Sequence, residues 1–280
     1  MNLSPEWINF DGKLLRRETP FLTAASRAFR YGDGLFETIL VRNDTICLWA
    51  FHTDRLFSGL ELLRFSIPSS FTPERLSQQI FALCRENGHI GPTRVRLVVF
   101  RGEGGLFDGL DPLPHYLIES SAMSLNVLAL NDKGLTIDLF PHGRKACDGL
   151  ANLKSNNYLL YVLAALHAKS RGLDECLVLN SWDRLADSTI ANLFLIRGGR
   201  VLTPPLSEGG VAGVMRRHLL ERMPAAGFSV EEKPMTAADL RNAEEVFLTN
   251  ALRGIRWVAS FGAVQYTNRL TTAIHRECLL

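Results

Sequence analysis

Lys154 is the residue of this chain best placed for chemistry. It follows Gly149-Leu150-Ala151-Asn152-Leu153 and precedes Ser155-Asn156-Asn157-Tyr158, just ahead of an apolar stretch. A lysine that loses solvation lowers its pKa and becomes a nucleophilic amine toward a carbonyl. The plain alternative is a solvated lysine near a helix start. Lysine is scarce here, 6 of 31 basic residues, and Lys13, Lys133, Lys145, Lys169 and Lys233 read as dispensable. A second prospect is Gly209 to Arg217, whose glycines lead into a helix start where free amides receive an anion. Glycine clusters are also commonly plain turns. Neither this cluster nor Gly102-x-Gly104-Gly105 matches the dinucleotide or Walker A patterns. Asp187 and Asn192 read equally as cap and turn residues. Arg55, beside Asp54 on a helix, reads as half of a solvated ion pair.

The elements that must position these residues alternate in period. Residues 7 to 18 form a hairpin with its turn at Asp11-Gly12, and strands follow at Gly34–Arg42 and Ile46–Trp49. Helices are expected from His52 to Leu63, from Thr72 to about Glu86 and from Asn157 to Ser170. Arg94 to Phe100 and part of Tyr116 to Leu125 read as strands. Arg101 to Gly109 and Pro141 to Gly149 are too glycine-rich for elements and read as loops. Further strands are expected at 175–179, 191–196, 201–202 and 245–248, near 257–258 and at 263–264. Helices are expected near 214–223, 237–242 and the C-terminus. Hairpins followed by helices, without strict alternation, give an α+β chain of two mixed domains, 1–122 and 123–280.

Composition removes other classes. With 280 residues, 46% of them hydrophobic, the chain can bury one large core or two modest ones. A formal charge of +2 is no footprint for nucleic acid or an anionic membrane. No apolar run reaches the roughly 18 residues of a membrane span, and the N-terminus has no secretory pattern. Five scattered cysteines make neither a disulfide framework nor a zinc site, and the histidines lack metal-ligand spacing. A cytoplasmic protein without a metal is the expectation.

Taken in order, the motifs resemble the fold type IV pyridoxal-phosphate enzymes, the group of branched-chain and D-amino acid aminotransferases and aminodeoxychorismate lyase. The matching segments are Arg27-Ala28-Phe29-Arg30-Tyr31-Gly32-Asp33-Gly34-Leu35-Phe36-Glu37-Thr38, His52-x-x-Arg55-Leu56 and Leu153-Lys154-Ser155-Asn156-Asn157-Tyr158. They continue with Asp187 ahead of Ala191-Asn192-Leu193-Phe194, then Gly213-Val214-Met215-Arg216 and Val246-Phe247-Leu248-Thr249-Asn250-Ala251. The resemblance implies two mixed α/β domains with the cofactor site between them, pyridoxal 5'-phosphate as cofactor, and a homodimer. It makes Lys154 the lysine of the internal aldimine and the carrier of the substrate proton. Arg55 becomes a phosphate ligand, helped by Val214, Met215, Asn250 and Ala251. Tyr158 takes a place near the cofactor's phenolic oxygen, and Asp187 pairs with its pyridine nitrogen. Tyr31 and Arg101 are expected to meet substrate, and Thr38 to take part in catalysis.

This sequence departs from the family pattern at three points. Asp187 is one methylene shorter than the usual glutamate. Met215 and Ala251 replace threonines whose hydroxyls often bind the phosphate. Arg101-Gly102-x-Gly104-Gly105 and Thr38 resemble the lyase branch, whereas Glu37 is widespread among transaminases. The reading leans to an aminotransferase that moves an amino group between an amino acid and a 2-oxo acid. One alternative is a lyase releasing pyruvate and 4-aminobenzoate from aminodeoxychorismate; another is a degenerate, non-enzymatic cofactor-binding homologue.

Overall fold

The computed structural model describes residues 6–107, 109 and 111–279. Outside the described residues lie positions 1–5, on which the leader reading rests, and Asp108 of the first glycine-rich loop. The chain divides into two compact units, 1–127 with 154–157, and 128–153 with 158–280.

In the first unit the elements are β1 (Trp7–Phe10), β2 (Lys13–Arg16), α1 (Arg27–Tyr31), β3 (Gly34–Arg42), β4 (Thr45–Ile46), α2 (Trp49–Leu62), α3 (Pro73–Glu86), β5 (Thr93–Arg101) and β6 (Pro114–Ala122). The strands form one antiparallel sheet in the order β2-β1-β6-β5-β3-β4. The hairpin turns on Asp11 and Gly12, both at positive φ, the geometry that matches the twist of two-residue hairpins. Strands β5 and β6 alternate buried and half-buried positions, the pattern of a sheet with one face on the core. Helix α3 starts at a proline behind Thr72, whose side chain accepts the Arg75 N–H. The strand expected over Ile46–Trp49 is cut short. Cys47 N–H still donates to Leu40 O, then Leu48 at φ 54° turns the chain into α2.

Residues 154–157 count with this unit because their backbone pairs with β3. Phe36 N–H donates to Lys154 O and Asn156 N–H to Gly34 O, each at 2.9 Å. Lys154 therefore goes with the N-terminal sheet, whereas the sequence assigned it to the C-terminal domain.

The second unit contains β7 (Leu135–Lys145), α4 (Leu159–Ser170), β8 (Glu175–Asn180), β9 (Leu185–Ser188), β10 (Asn192–Arg197), β11 (Arg200–Thr203), α5 (Val214–Ala225), β12 (Val230–Glu232), α6 (Ala237–Arg241), β13 (Glu245–Asn250), β14 (Gly254–Phe261), β15 (Val264–Gln265) and α7 (Arg269–Cys278). Its mixed sheet runs β12-β11-β10-β13-β14-β7-β8-β9, with β15 on β14. Successive residues of β8 feed two cores. Leu177 and Leu179 join Leu193, Leu195, Val246 and Leu248 on one face, while Cys176 and Val178 meet Tyr161 and Ala164 of α4 on the other. Phe194 and Phe247, opposite each other on β10 and β13, stack at 4.8 Å.

Two expectations fail in this unit. Pro141 to Gly149 is not wholly loop, because β7 continues to Lys145. Its ladder with β8 shifts register between Leu139 and Arg144, so Pro141, which has no N–H to give, falls where none is required. Asp187 lies inside β9 rather than in a turn, since four residues are too few to show a periodicity.

Candidate active site

In the first unit the backbone bonds to β3 fix the main chain of half-buried Lys154. Its Nζ lies 4.2 Å from the centroid of the Phe36 ring. The guanidinium carbon of Arg96 lies 4.2 Å from the same ring, and Arg96 stands opposite Thr38 in the β3–β5 ladder. Arg96 was not singled out from sequence. Its one signal is a charge among alternating apolar residues of a strand, which ordinarily marks a solvated face.

Beside this lies a buried ionic cluster. Glu37 is only 2% exposed, and its Oε1 accepts Arg55 Nε at 2.8 Å. Its Oε2 accepts Arg55 Nη2 and, at 2.6 Å, His52 Nδ1. Burial alone would raise the Glu37 pKa; Arg55 and His52 outweigh it and bring the value down to about 2. His52 is 1% exposed, and desolvation lowers its pKa against the pull of Glu37. A carboxylate only accepts, so Nδ1 carries the proton, and the buried Nε2 has no hydrogen-bond partner among the described residues. The neutral tautomer leaves a lone pair there, which is cheaper to bury than an N–H bearing part of a positive charge. Arg55 is thus paired with a buried carboxylate 18 residues back in the chain.

Tyr31 and Arg101 line an open cavity of about 450 Å³ together with Arg27, Asp33, Arg64 and Asn157. Asp33 Oδ2 accepts Arg27 Nε at 2.8 Å and Arg101 Nε at 3.0 Å. Arg101 also donates to the carbonyls of Leu63 and Arg64 and stacks 4.1 Å from Phe65. It is 7% exposed, so it builds the wall more than it projects from it. Three guanidinium groups against one carboxylate make the lining positive.

In the second unit Asp187 is 2% exposed, and its Oδ2 accepts the Tyr161 hydroxyl at 2.8 Å and the Val211 N–H at 2.9 Å. A bulge aims it there. Val178 pairs with Asp187 and Leu179 with Leu185, so Ala186 is the extra residue. Without it Leu185 and Asp187 would share a face; with it Leu185 enters one core and Asp187 faces α4. Tyr158 lies with its ring 4.6 Å from Tyr161 and donates its hydroxyl to Thr189 O. Lys145, read as dispensable, comes close as well. Its Nζ donates to Ala151 O and lies 5.1 Å from the Tyr161 ring. Burial pushes the Lys145 pKa down, and the negative charge of Asp187 opposes that.

Val211 leads on to Gly213, the N-cap of α5, which has no side-chain cap for the first-turn amides of Val214 and Met215. Both residues have buried side chains, so they offer backbone only. A Cβ on Gly213 would come within 1.8 Å of Asn192 Oδ1. Asn192 in turn donates to Val211 O and stands opposite Thr249 in the β10–β13 ladder, next to Asn250 and Ala251. Asn250 uses its Oδ1 on the N–H groups of Leu252 and Arg253. Sequence-expected residues therefore meet in two groups. Lys154, Thr38, Arg55, Tyr31 and Arg101 belong to the first unit. Tyr158, Asp187, Val214, Met215, Asn250 and Ala251 belong to the second.

Each unit by itself carries groups whose chemistry suits part of pyridoxal phosphate: the first a primary amine for an aldehyde and a guanidinium for a phosphate, the second an uncapped helix start for a phosphate and a buried carboxylate for a pyridinium. The family model for amino-transferase class IV matches residues 34–261. An aminodeoxychorismate lyase of Vibrio harveyi is 30% identical over 241 residues, 85% of this chain and 86% of that protein. A branched-chain-amino-acid aminotransferase of Salmonella typhimurium is 25% identical over 272 residues, 93% and 86% of the two chains. The solved branched-chain amino acid aminotransferase of Escherichia coli superposes with a TM-score of 0.86 at 22% identity, covering 97% of this chain and 92% of that one. The chain belongs to the amino-transferase class IV family.

Proposed function

We propose that this protein is a pyridoxal-phosphate-dependent aminotransferase that moves an amino group between an amino acid and a 2-oxo acid. The observation that carries the reading is Lys154, a half-buried amine whose own carbonyl accepts the Phe36 N–H of β3. When bound, the cofactor supplies an aldehyde carbon for amines and a ring that accepts electrons from the substrate's α-carbon. Lys154 holds the cofactor and, once its amine is released, takes the α-proton and returns it. Asp187, anchored by Tyr161 and Val211, keeps a proton on the pyridine nitrogen. Arg55 and the amides of Val214, Met215, Asn250 and Ala251 are the phosphate donors. Tyr158 orients the ring near its phenolic oxygen. Tyr31 and Arg101 shape the substrate pocket, with Thr38 nearby as a hydroxyl for proton movement.

The positive lining of the cavity and the similarity to the Vibrio harveyi lyase favour one second reading, release of pyruvate from aminodeoxychorismate, a substrate with two carboxylates. A paired assay separates the two. Conversion of an amino acid to its 2-oxo acid with bleaching of visible absorbance supports the aminotransferase. Pyruvate release from aminodeoxychorismate without an oxo-acid acceptor supports the lyase, and a protein that does neither is the degenerate homologue. Lys154→Ala should remove the visible absorbance of bound pyridoxal phosphate; absorbance that survives would sink both catalytic readings. We further propose a homodimer, supported by the apolar outer face of α4, and a cytoplasmic setting, supported by five free thiols. Among the described residues no helix is long and apolar enough to cross a membrane.

A further inference from the structure

We infer that Glu37 and His52 are positioning residues that orient Arg55 toward the cofactor phosphate, Glu37 gripping one edge of the guanidinium and His52 fixing Glu37. The inference rests on the reading above that Arg55 is a phosphate ligand.

A guanidinium is planar and has two edges able to engage an anion in bidentate fashion, the side edge of Nε with Nη2 and the end edge of Nη1 with Nη2. Glu37 takes the side edge with both oxygens, Oε1 on Nε at 2.8 Å and Oε2 on Nη2. That fixes the plane of the group and the direction of its end edge. His52 and Arg55 are three residues apart on α2, so both face β3, where Glu37 stands. The His52 Nδ1–H, 2.6 Å from Oε2, keeps the carboxylate from turning about its own bond. The cost of the arrangement is charge. Glu37 cancels much of the attraction that Arg55 would exert on a dianion. A buried carboxylate placed on this arginine spends attraction on orientation, and a side chain ordered beforehand loses less freedom on binding.

The test compares two ligands, pyridoxal phosphate and pyridoxal, which share the aldehyde and ring but differ in the phosphate. Their affinities for the cofactor-stripped full chain are measured by absorbance titration, with far-UV circular dichroism and melting as checks of folding. In Glu37→Gln the new NH2 faces a donor whichever way it turns, either Arg55 Nε or the pair Arg55 Nη2 and His52 Nδ1. The Kd for pyridoxal phosphate should rise at least about 10-fold, while that for pyridoxal changes less than about 3-fold. Equal or tighter binding of pyridoxal phosphate would mean that charge relief dominates, and would overturn the inference. So would equal weakening of both ligands, the mark of a merely structural role. His52 supplies a second route should Glu37→Gln not fold. His52→Asn, whose amide falls near the Nδ1 position, should keep the preference for the phosphorylated ligand, and His52→Leu should lose it. Identical behaviour of these two variants would remove His52 from the device. Arg55→Met separates the layers. If it leaves the phosphate preference intact, the Arg55 reading fails and takes the inference with it. If Arg55→Met abolishes the preference and Glu37→Gln does not, the inference alone fails.

Discussion

Burying a carboxylate costs several kcal/mol unless donors surround it. Glu37 and Asp187 show how this chain meets that demand, and each has a measurable consequence. Glu37 ionises near 2 when folded, against 4.5 for the free side chain. The unfolded chain therefore takes up a proton first as pH falls, so the stabilisation is full above about 4.5 and disappears as pH approaches 2. Between pH 5 and 3 this group should cost the protein about 2 kcal/mol of stability, and urea unfolding should show that slope in the wild type and not in Glu37→Gln. His52 acts in the same direction at higher pH, because its folded pKa lies below the unfolded value. Asp187 accepts two neutral donors, the Tyr161 hydroxyl and the Val211 N–H. Tyr161, whose pKa burial and Asp187 push up, stays a phenol and keeps donating. Tyr161→Phe should cost about 1–3 kcal/mol in urea unfolding. Asp187→Asn keeps the shape but loses the charge, and kcat in the amino-transfer assay should fall about 100-fold or more. A variant with unchanged kcat would remove Asp187 from the mechanism.

Elements set the directions of these side chains through backbone details that cost little to build and much to alter. The bulge at Ala186 turns Asp187 to the α4 side, and the start of α5 follows from the close approach of Gly213 to Asn192. Gly213→Ala would push a methyl group into Asn192, whose amide already holds Val211 O. The expected loss is about 1–3 kcal/mol, read from the urea midpoint. Gly149→Ala is the control. Its Cβ would meet nothing within 4 Å, and the midpoint should stay within about 0.5 kcal/mol of wild type. Thr72→Ala removes the one side-chain cap of α3 and should cost about 1 kcal/mol without changing turnover.

At the scale of the whole molecule, α4 poses a solubility problem. Tyr161, Ala164 and Ala168 pack inward, but Leu159, Val162, Leu163 and Leu166 are exposed by 47–69%. A helix apolar on all sides is ordinarily buried. If this face is where the proposed homodimer forms, light scattering should give twice the 31.2 kDa chain mass, and Leu163→Glu with Leu166→Glu should shift the protein toward the monomer. A monomeric wild type would refute the assembly.

Sequence by itself determined what is written in residue types and local period. The Asp11-Gly12 hairpin, the capped α3, the α4 helix after Lys154 and the family membership were legible there, because turn chemistry, capping and motif order act within a few residues of chain. Lys154, Arg55 and Asp187 were legible as types at matching positions. Their partners were not. Glu37 reaches Arg55 across 18 residues and Tyr161 reaches Asp187 across 26, and no local pattern encodes which long-range donor meets a buried charge. Nor did spacing show that residues 154–157 pair with β3, or that Lys145 leaves its loop to stand beside Tyr161. Those choices belong to tertiary structure, because desolvation is a property of the packed neighbourhood. Only the assembled sheets decide which charges lose water and which groups must replace it.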